Sequence, residues 1–246
     1  YLFEMTNIRD QCSWVHMHQP ERATEKAKSL VHMGLSRARH LTPLYSTKMS
    51  VNHRALVIGG GLAGMTAARA LSAQGFEVYL VEREGELGGN LRRLHYTLEG
   101  NGVQGYLADL IERVKRDPLI HIFTRARVEQ VEGCVGNFTS TVRSSEAHSS
   151  EFEVRHGIII VATGAAEFKG DDYLHGWDDR VMTQRELEEK IALDGNVLDG
   201  VNRLVMIQCV GSRDAERPYC SRVCCSQALK NALNVKEINP QAEVFV

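Results

Sequence analysis

Three features of the sequence predict an α/β fold built on a parallel sheet. Short apolar runs alternate along the chain with amphipathic stretches of helix length. The run "RALVI" (54–58) passes through a glycine-rich turn into a helix-patterned segment and then a second apolar run, "EVYLVE" (77–82). A later run, "GIIIVATG" (157–164), again ends in a glycine turn. Apolar runs without polar alternation suit strands covered on both faces, as in a parallel sheet with helical crossovers.

The elements follow in order. Residues 1–50 read as helical and irregular. Within them "ERATEKAKSLVHMGLSRARHL" sets Ala23, Ala27, Leu30, Val31 and Leu35 at helical spacing, with charges on the opposite face. "LAGMTAARALSAQGF" predicts a helix stopped at Gly75. "VQGYLADLIERVKRD" is another amphipathic helix, closed by Asp117-Pro118 because the residue before proline avoids helical backbone. Residues 120–145 and 151–164 read as several strands with turns, and "RSSEAHSSE" (143–151) as a hairpin loop. "TQRELEEKI" opens on Thr183 as N-cap with Glu186 at the capping-box position. "NRLVMIQCVG" (202–211) reads as a buried strand and "CCSQALKNALNVKEI" (224–238) as a helix.

The bulk composition narrows the function classes. The chain has 246 residues, 43% hydrophobic and 24% charged, enough for one large or two small domains with a real core. A net charge of −2 provides no general attraction to nucleic acid or anionic membranes. No apolar run reaches the roughly 18–20 residues of a membrane span. No signal peptide is visible, and a cytoplasmic location is expected. The chain begins at Tyr1 and ends on "AEVFV", an apolar stretch that reads as an unfinished strand, so a piece of a longer polypeptide is expected.

The first chemistry lies in "GGGLAG", where Gly59, Gly61 and Gly64 stand in G-x-G-x-x-G spacing between a strand and a helix. Gly59 allows the tight turn out of the strand. Gly61 has no Cβ, so a pyrophosphate can approach the backbone. Gly64 lets the helix pack close to the sheet. The free N–H groups at the helix start, over Leu62 and Ala63, can hold phosphate. Glu82 follows 18 residues after Gly64 at the end of the second strand, where a carboxylate can accept hydrogen bonds from ribose hydroxyls. These features together predict a Rossmann-like dinucleotide site.

Two further motifs select the dinucleotide. "EREGELGGNLRRL" carries Arg83 and then Gly88-Gly89-Asn90; in flavoproteins with two dinucleotide-binding domains such a glycine pair passes close to the cofactor diphosphate and ribityl arm. Ala162-Thr163-Gly164 resembles the second short flavin motif of those enzymes. The three motifs in order, over about 105 residues, resemble the FAD domain of thioredoxin-reductase-like and glutamate-synthase-small-subunit-like flavoproteins. The resemblance implies FAD as cofactor and puts Val128, in "RARVEQV", where a backbone group meets the adenine. Arg83, Arg92 and Arg93 are candidates for stabilising a flavin anion, with solvated surface charge the plainer reading for at least one.

In such flavoproteins the chain next enters a second Rossmann-like domain that binds NAD(P)H. Here "RLVMIQCVGSRD" supplies the strand and turn, but only Gly211 of the fingerprint is present and Cys209 stands in place of the first glycine. Cys209, Cys220, Cys224 and Cys225 have the spacing C-x10-C-x3-C-C. Four thiolates suit an iron–sulfur cluster or a structural zinc. A redox disulfide and plain buried thiols are the other readings, with structural disulfides disfavoured in the cytosol. Cys134 reads most simply as a buried or incidental thiol. Trp14 and Trp177 read as packing residues, since no basic–aromatic patch accompanies them.

The stretch "IQCVGSRDAERPYCSRVCCSQALKNAL" resembles the A subunit of heterodisulfide reductase, as do "NIRDQCSWVH", "ATEKAK", "EGNGVQGYLADLIE" and "EGCVGNFTSTV". The resemblance covers nearly the whole chain. It implies FAD and a [4Fe–4S] cluster held by Cys209, Cys220, Cys224 and Cys225, with Cys12 belonging to a second cluster whose other ligands precede Tyr1. It implies three parts: a helical segment 1–50 ending an upstream cluster domain, an FAD-binding domain 51–185, and the start of the second, NAD(P)H-like domain at 186–246. Methanogen members carry a ferredoxin-like insert that is absent here, so the shorter type is expected. The implied function is electron transfer between flavin and iron–sulfur centres, with flavin-based bifurcation associated with the family. The implied partners are other heterodisulfide-reductase-like subunits and ferredoxin or hydrogenase- or NADH-oxidising proteins, with a homodimer left open. No catalytic residue is assigned. The alternative is a self-standing NAD(P)H-dependent flavoprotein disulfide reductase with redox or zinc-binding cysteines.

Overall fold

A computed structural model of the protein describes residues 2–46, 48–145, 150–194 and 196–246. The chain divides into two compact units, Tyr1–Ser50 and Val51–Val246. In the first, helix α1 (Pro20–Ala38) begins on a proline, whose missing N–H costs nothing at that position. The half-buried stripe of α1 is Ala23, Ala27, Leu30, Gly34 and Ala38. Val31 and Leu35, expected on the apolar face, are exposed instead. The Thr6 hydroxyl fills the space that a Cβ on Gly34 would take, which turns the covered face one residue away from Leu35. Before α1, one π-helical turn at Arg9–Ser13 carries Cys12, which is buried and donates its Sγ–H to Ala23 O at 2.9 Å.

The second unit contains β1 (Arg54–Ile58), α2 (Leu62–Ser72), β2 (Glu77–Val81), α3 (Gln104–Arg116), β3 (Ile120–Phe123), β4 (Ala126–Cys134), β5 (Asn137–Ser144), β6 (Glu151–His156), β7 (Ile158–Val161), α4 (Gln184–Leu193), β8 (Arg203–Val205), α5 (Cys224–Ile238) and β9 (Glu243–Phe245). Strands β3-β2-β1-β7 form a parallel sheet, β4-β5-β6 an antiparallel one, and β8-β9 a parallel pair joined through α5. This is the α/β architecture expected. Central β1 explains its own composition. Ala55 and Val57 face Met65 and Ala68 of α2 and Leu110 and Val114 of α3. Leu56 faces the opposite way, against Val81 and against Ala126, Val142 and Val154 of the antiparallel sheet. From Ala55 on both faces are covered, so only the exposed first residue, Arg54, is polar, and each buried aliphatic side chain contributes on the order of 1.5–3 kcal/mol.

Helix ends fall where their chemistry dictates. Gly75 adopts φ +87° and Phe76 N closes back on Leu71 O at 3.1 Å, ending α2. Asp117 leaves helical backbone ahead of Pro118. At α4, Thr183 Oγ1 accepts from Glu186 N (3.2 Å) while the Glu186 carboxylate accepts from Thr183 N (2.9 Å), a complete capping box. The hairpin loop expected at 143–151 joins β5 to β6, but residues 146–149 lie outside the described residues. The strand expected over 202–211 is three residues long, matched to the three residues of its partner β9, and Cys209 beyond it stands at φ +61°, off extended backbone. The boundary expected at 185/186 falls within α4. Both tryptophans assigned to packing are exposed: Arg9 covers the ring of Trp14, and Trp177 is 84% exposed in the loop before α4.

Candidate functional site

The second unit holds two strand–turn–helix–strand modules, β1–α2–β2 and β8–α5–β9, and the two turns carry the motifs. At the first, Gly59 has φ +109° and donates its N–H to Val81 O at 2.8 Å. A side chain at Gly59 would overlap Ala162 O, and one at Gly64 would overlap Gly59 O. Gly61 caps α2 with an ordinary φ of −77°, and a Cβ there would meet nothing within 4 Å. The glycine at this position therefore keeps a space open, whereas its two companions allow backbone contact. Leu62 and Ala63 stand exposed in the first helical turn.

The other motifs converge on the same turn. Glu82 is buried; Oε2 accepts from Gly60 N at 2.6 Å and Oε1 from Glu84 N at 2.9 Å. Gly88 N donates to Gly60 O at 2.8 Å, and an added Cβ on Gly89 would lie 3.2 Å from Gly61 Cα. Ala162 N donates to Ile58 O at 2.8 Å, Gly164 adopts φ +65°, and Asn90 Nδ2 donates to Ala165 O at 2.9 Å. Residues 59–64, 82, 88–90 and 162–165 thus form one glycine-lined cradle, with Thr163 exposed at its margin. Val128 lies two residues into β4, which starts where Ala126 N donates to Glu82 O (2.9 Å), and Val128 pairs with Val142. Arg83 is exposed and pairs with Glu84 at 3.1 Å, and Arg92 pairs with Glu86 while donating to Leu87 O at 3.0 Å.

At the second turn the strand ladder ends with Met206 N on Phe245 O (2.7 Å), and the chain takes residues 207–223 to reach α5. Cys224 and Cys225 are the first two residues of that helix. Ser221 Oγ donates to Cys224 Sγ and Arg222 N to Cys220 Sγ, both at 3.3 Å. The Ser221 hydroxyl, joined by the Cys209 N–H, pulls the Cys224 thiol below its ordinary value against opposing burial. The charge on Cys224 pushes Cys225 up, and Cys209 and Cys220 act on it in the same direction. The other three cysteines therefore all act on Cys225. Among the described residues no three His, Cys, Asp or Glu side chains stand in a preformed metal-binding arrangement. Cys134, read as buried or incidental, is exposed near the β4–β5 turn and belongs to neither site.

Several supporting residues carry no signal in the sequence. Glu188 of α4 is fully buried, pairs with Lys230 of α5 at 2.6 Å, and accepts from His95 N at 2.8 Å. Lys230 also donates to Tyr96 O at 3.2 Å, and the buried Asn231 donates to Gln184 O at 2.7 Å. This network ties the helix of the paired cysteines to the segment that follows Gly88-Gly89. Arg185 donates to Asn90 Oδ1 at 3.2 Å and lies 4.0 Å from Glu167. Only Ser221, a hydroxyl set between two cysteines, could have been suspected from spacing.

The sequence profile of the pyridine nucleotide-disulphide oxidoreductase family matches residues 53–207. The first of two iron-sulfur A subunits of CoB--CoM heterodisulfide reductase from Methanopyrus kandleri is 32% identical, over all of this chain and 50% of that protein. The A subunit of the H(2):CoB-CoM heterodisulfide,ferredoxin reductase from Methanothermobacter marburgensis is 33% identical over 99% of this chain and 50% of that one. A protein from Archaeoglobus profundus described as like the heterodisulfide reductase A subunit is 45% identical over 59% of this chain and 21% of its own. The resemblance to the heterodisulfide reductase A subunit expected from the sequence is borne out, and this chain spans about half the length of those first two relatives. The alignment with the M. kandleri protein covers 338 positions against 246 residues here, so at least 92 of its positions face no residue of this chain. Among the described residues no helix is long and apolar enough to cross a membrane.

Proposed function

The chain belongs to the pyridine nucleotide-disulphide oxidoreductase family, and on that premise we propose that it is an FAD- and [4Fe–4S]-carrying electron-transfer segment of a heterodisulfide-reductase-like protein. The observation that carries this reading is the contrast between the two equivalent turns: one is an open glycine cradle, the other bears Cys209 and Cys220 on its loop and Cys224 and Cys225 at the helix start that follows.

The chemistry of the residues present suits both groups: glycines and free N–H groups for a dinucleotide, thiols for a cluster. The space left open at Gly61, at the start of α2, suits a diphosphate, whose charge the helix N-terminus favours. Glu82 would meet a ribose, its carboxylate held in place by the Gly60 and Glu84 N–H groups. Gly88, Gly89 and Asn90 close the cradle on the other side, and Ala162, Thr163 and Gly164 bring the chain back to it. Arg83, Leu62, Ala63 and Val128 complete the set. Cys209, Cys220, Cys224 and Cys225 would hold the cluster, and N–H and O–H donors aimed at sulfur are the groups that tune cluster potentials. When bound, FAD supplies electron uptake in pairs and release one at a time, and the cluster supplies one-electron acceptance. The chain positions both and keeps Glu188 and Lys230 paired beneath the cysteine helix.

The reading extends to a cytoplasmic protein working with partner subunits of the heterodisulfide reductase type, with ferredoxin and a hydrogenase- or NADH-oxidising donor, and with electron bifurcation at the flavin. Its test is a flavin count on protein reconstituted with FAD, for wild type and Gly61→Val. Wild type should retain FAD through gel filtration, while the variant should fold with the same thermal midpoint and lose the flavin. Equal retention by both would defeat the assignment of the cradle.

A further inference from the structure

The strap from Ala165 to His175 leaves the cradle at Gly164 and is pinned at both ends. Asn90 donates to Ala165 O (2.9 Å), and Lys169 and His175 reach the Glu186 carboxylate at 2.6 and 3.3 Å. Against the raising effect of burial, Lys169, the Thr183 N–H and His175 hold Glu186 down at about 2, so this end of the strap is anchored on a full charge at neutral pH.

Between the pins, Phe168 lies on the cysteine turn. Gly211, two residues after Cys209, has φ +67°, and a Cβ there would overlap the Phe168 ring. Arg217, three residues before Cys220, stands over that ring with its guanidinium carbon 4.2 Å from the centroid. The Nε of Arg217 is buried without a hydrogen-bond partner and the ring face covers the guanidinium, whose Nη2 lies 3.7 Å from the Glu216 carboxylate. Asp214 Oδ1 fixes the arginine's backbone, accepting from Glu216 N at 2.9 Å and Arg217 N at 2.6 Å. The loop needs an anchor: Cys209, Arg213 and Arg222 are held at φ +61°, +59° and +63°, backbone that a free loop would abandon.

We propose that Phe168, clasped between Gly211 and Arg217, is a positioning residue that fixes the Cys209–Cys220 loop against the cradle. The inference deepens the proposed function, since it treats these cysteines as a ligand set, but the clasp is measurable without any metal.

The experiment is competitive alkylation of the full-length, metal-free protein by iodoacetamide, read by peptide mass spectrometry at Cys209, with exposed Cys134 as internal reference. Phe168→Ala should raise the Cys209 to Cys134 rate ratio about tenfold, and Phe168→Tyr should restore it to the wild-type value. Arg217→Gln, at a half-buried position of the turn, should move the ratio in the same direction as Phe168→Ala and covers the case in which that variant does not fold. A ratio unchanged in Phe168→Ala or Arg217→Gln, or raised equally in Phe168→Tyr, overturns the clasp. Iron uptake by the wild type separates the two readings: with no uptake the ligand-set reading fails, while the alkylation ratio still decides the clasp.

Discussion

The two turns of the second unit occupy the same place in the same kind of module and are built in opposite ways. The first, after β1, is crossed in three glycines, Gly59 to Gly61, and its left-handed backbone falls on Gly59. The second, after β8, takes a long loop whose left-handed positions include Cys209, Arg213 and Arg222, all with side chains. The glycine turn is rigid because backbone packs on backbone, from Gly59 against Ala162 to Gly64 against Gly59. The cysteine turn is held by side chains instead: Phe168, Arg217 and Asp214 along the loop, and the Glu188–Lys230 pair beneath α5. A site that must approach a bulky polyanion dispenses with side chains. On the proposed reading, the second turn offers side chains as ligands, cannot dispense with them, and accepts strain in exchange.

The largest effect should come from the support of the second turn. Glu188→Ala would leave Lys230 charged and buried without its partner, which should cost about 3–5 kcal/mol. Urea unfolding would measure it, and a loss under ~1 kcal/mol would show that Lys230 finds water. In the first turn, Gly64→Ala should cost about 1–3 kcal/mol by overpacking, whereas Gly61→Ala, in open space at an ordinary φ, should stay within about 0.5 kcal/mol of wild type. Equal losses at the two glycines would erase the distinction between a contact glycine and a space-keeping one. At Arg213 the comparison inverts: Arg213→Gly should stabilise the apo-protein by up to about 1 kcal/mol by relieving left-handed strain, and a destabilised variant would mean that the arginine side chain anchors the loop.

The smallest effect is one of pH. His156 is fully buried; its Nδ1 faces Ile158 O at 3.0 Å and must donate, so Nε2 accepts from Ser140 Oγ at 2.8 Å. Burial pushes its pKa below the ordinary value. The neutral ring therefore adds stability that is fully present above the unfolded value, about 6.5, and is lost as pH falls from there toward the lower folded value. His156→Gln should flatten the slope of thermal midpoint below about pH 6.5. An unchanged slope would assign it to other groups.

The cradle was far more legible than its surroundings. Glycine spacing after an apolar run reports a backbone constraint directly, and Gly59 and Gly64 could be assigned geometric roles from position alone. The capping box at Thr183 and the stop at Gly75 are equally local. What the sequence concealed is long-range. Phe168 looks like any loop aromatic until Gly211 is beside it, and Glu188 reads as a surface helix residue until Lys230 and His95 N close around it. The exposed faces of Val31, Leu35 and Trp177 show the same limit from the other side: periodicity identifies apolar residues, but packing decides which are covered.

The central claim is that equivalent turns hold two different redox groups. The most direct measurement is iron, sulfide and flavin per polypeptide after anaerobic reconstitution, with spectra before and after dithionite, for wild type and a Cys224→Ser, Cys225→Ser variant. The account predicts FAD together with about four irons per wild-type chain, a broad absorbance that bleaches on reduction, and a variant that keeps its flavin but loses the iron. Flavin without iron in the wild type, or iron unchanged in the variant, would contradict it.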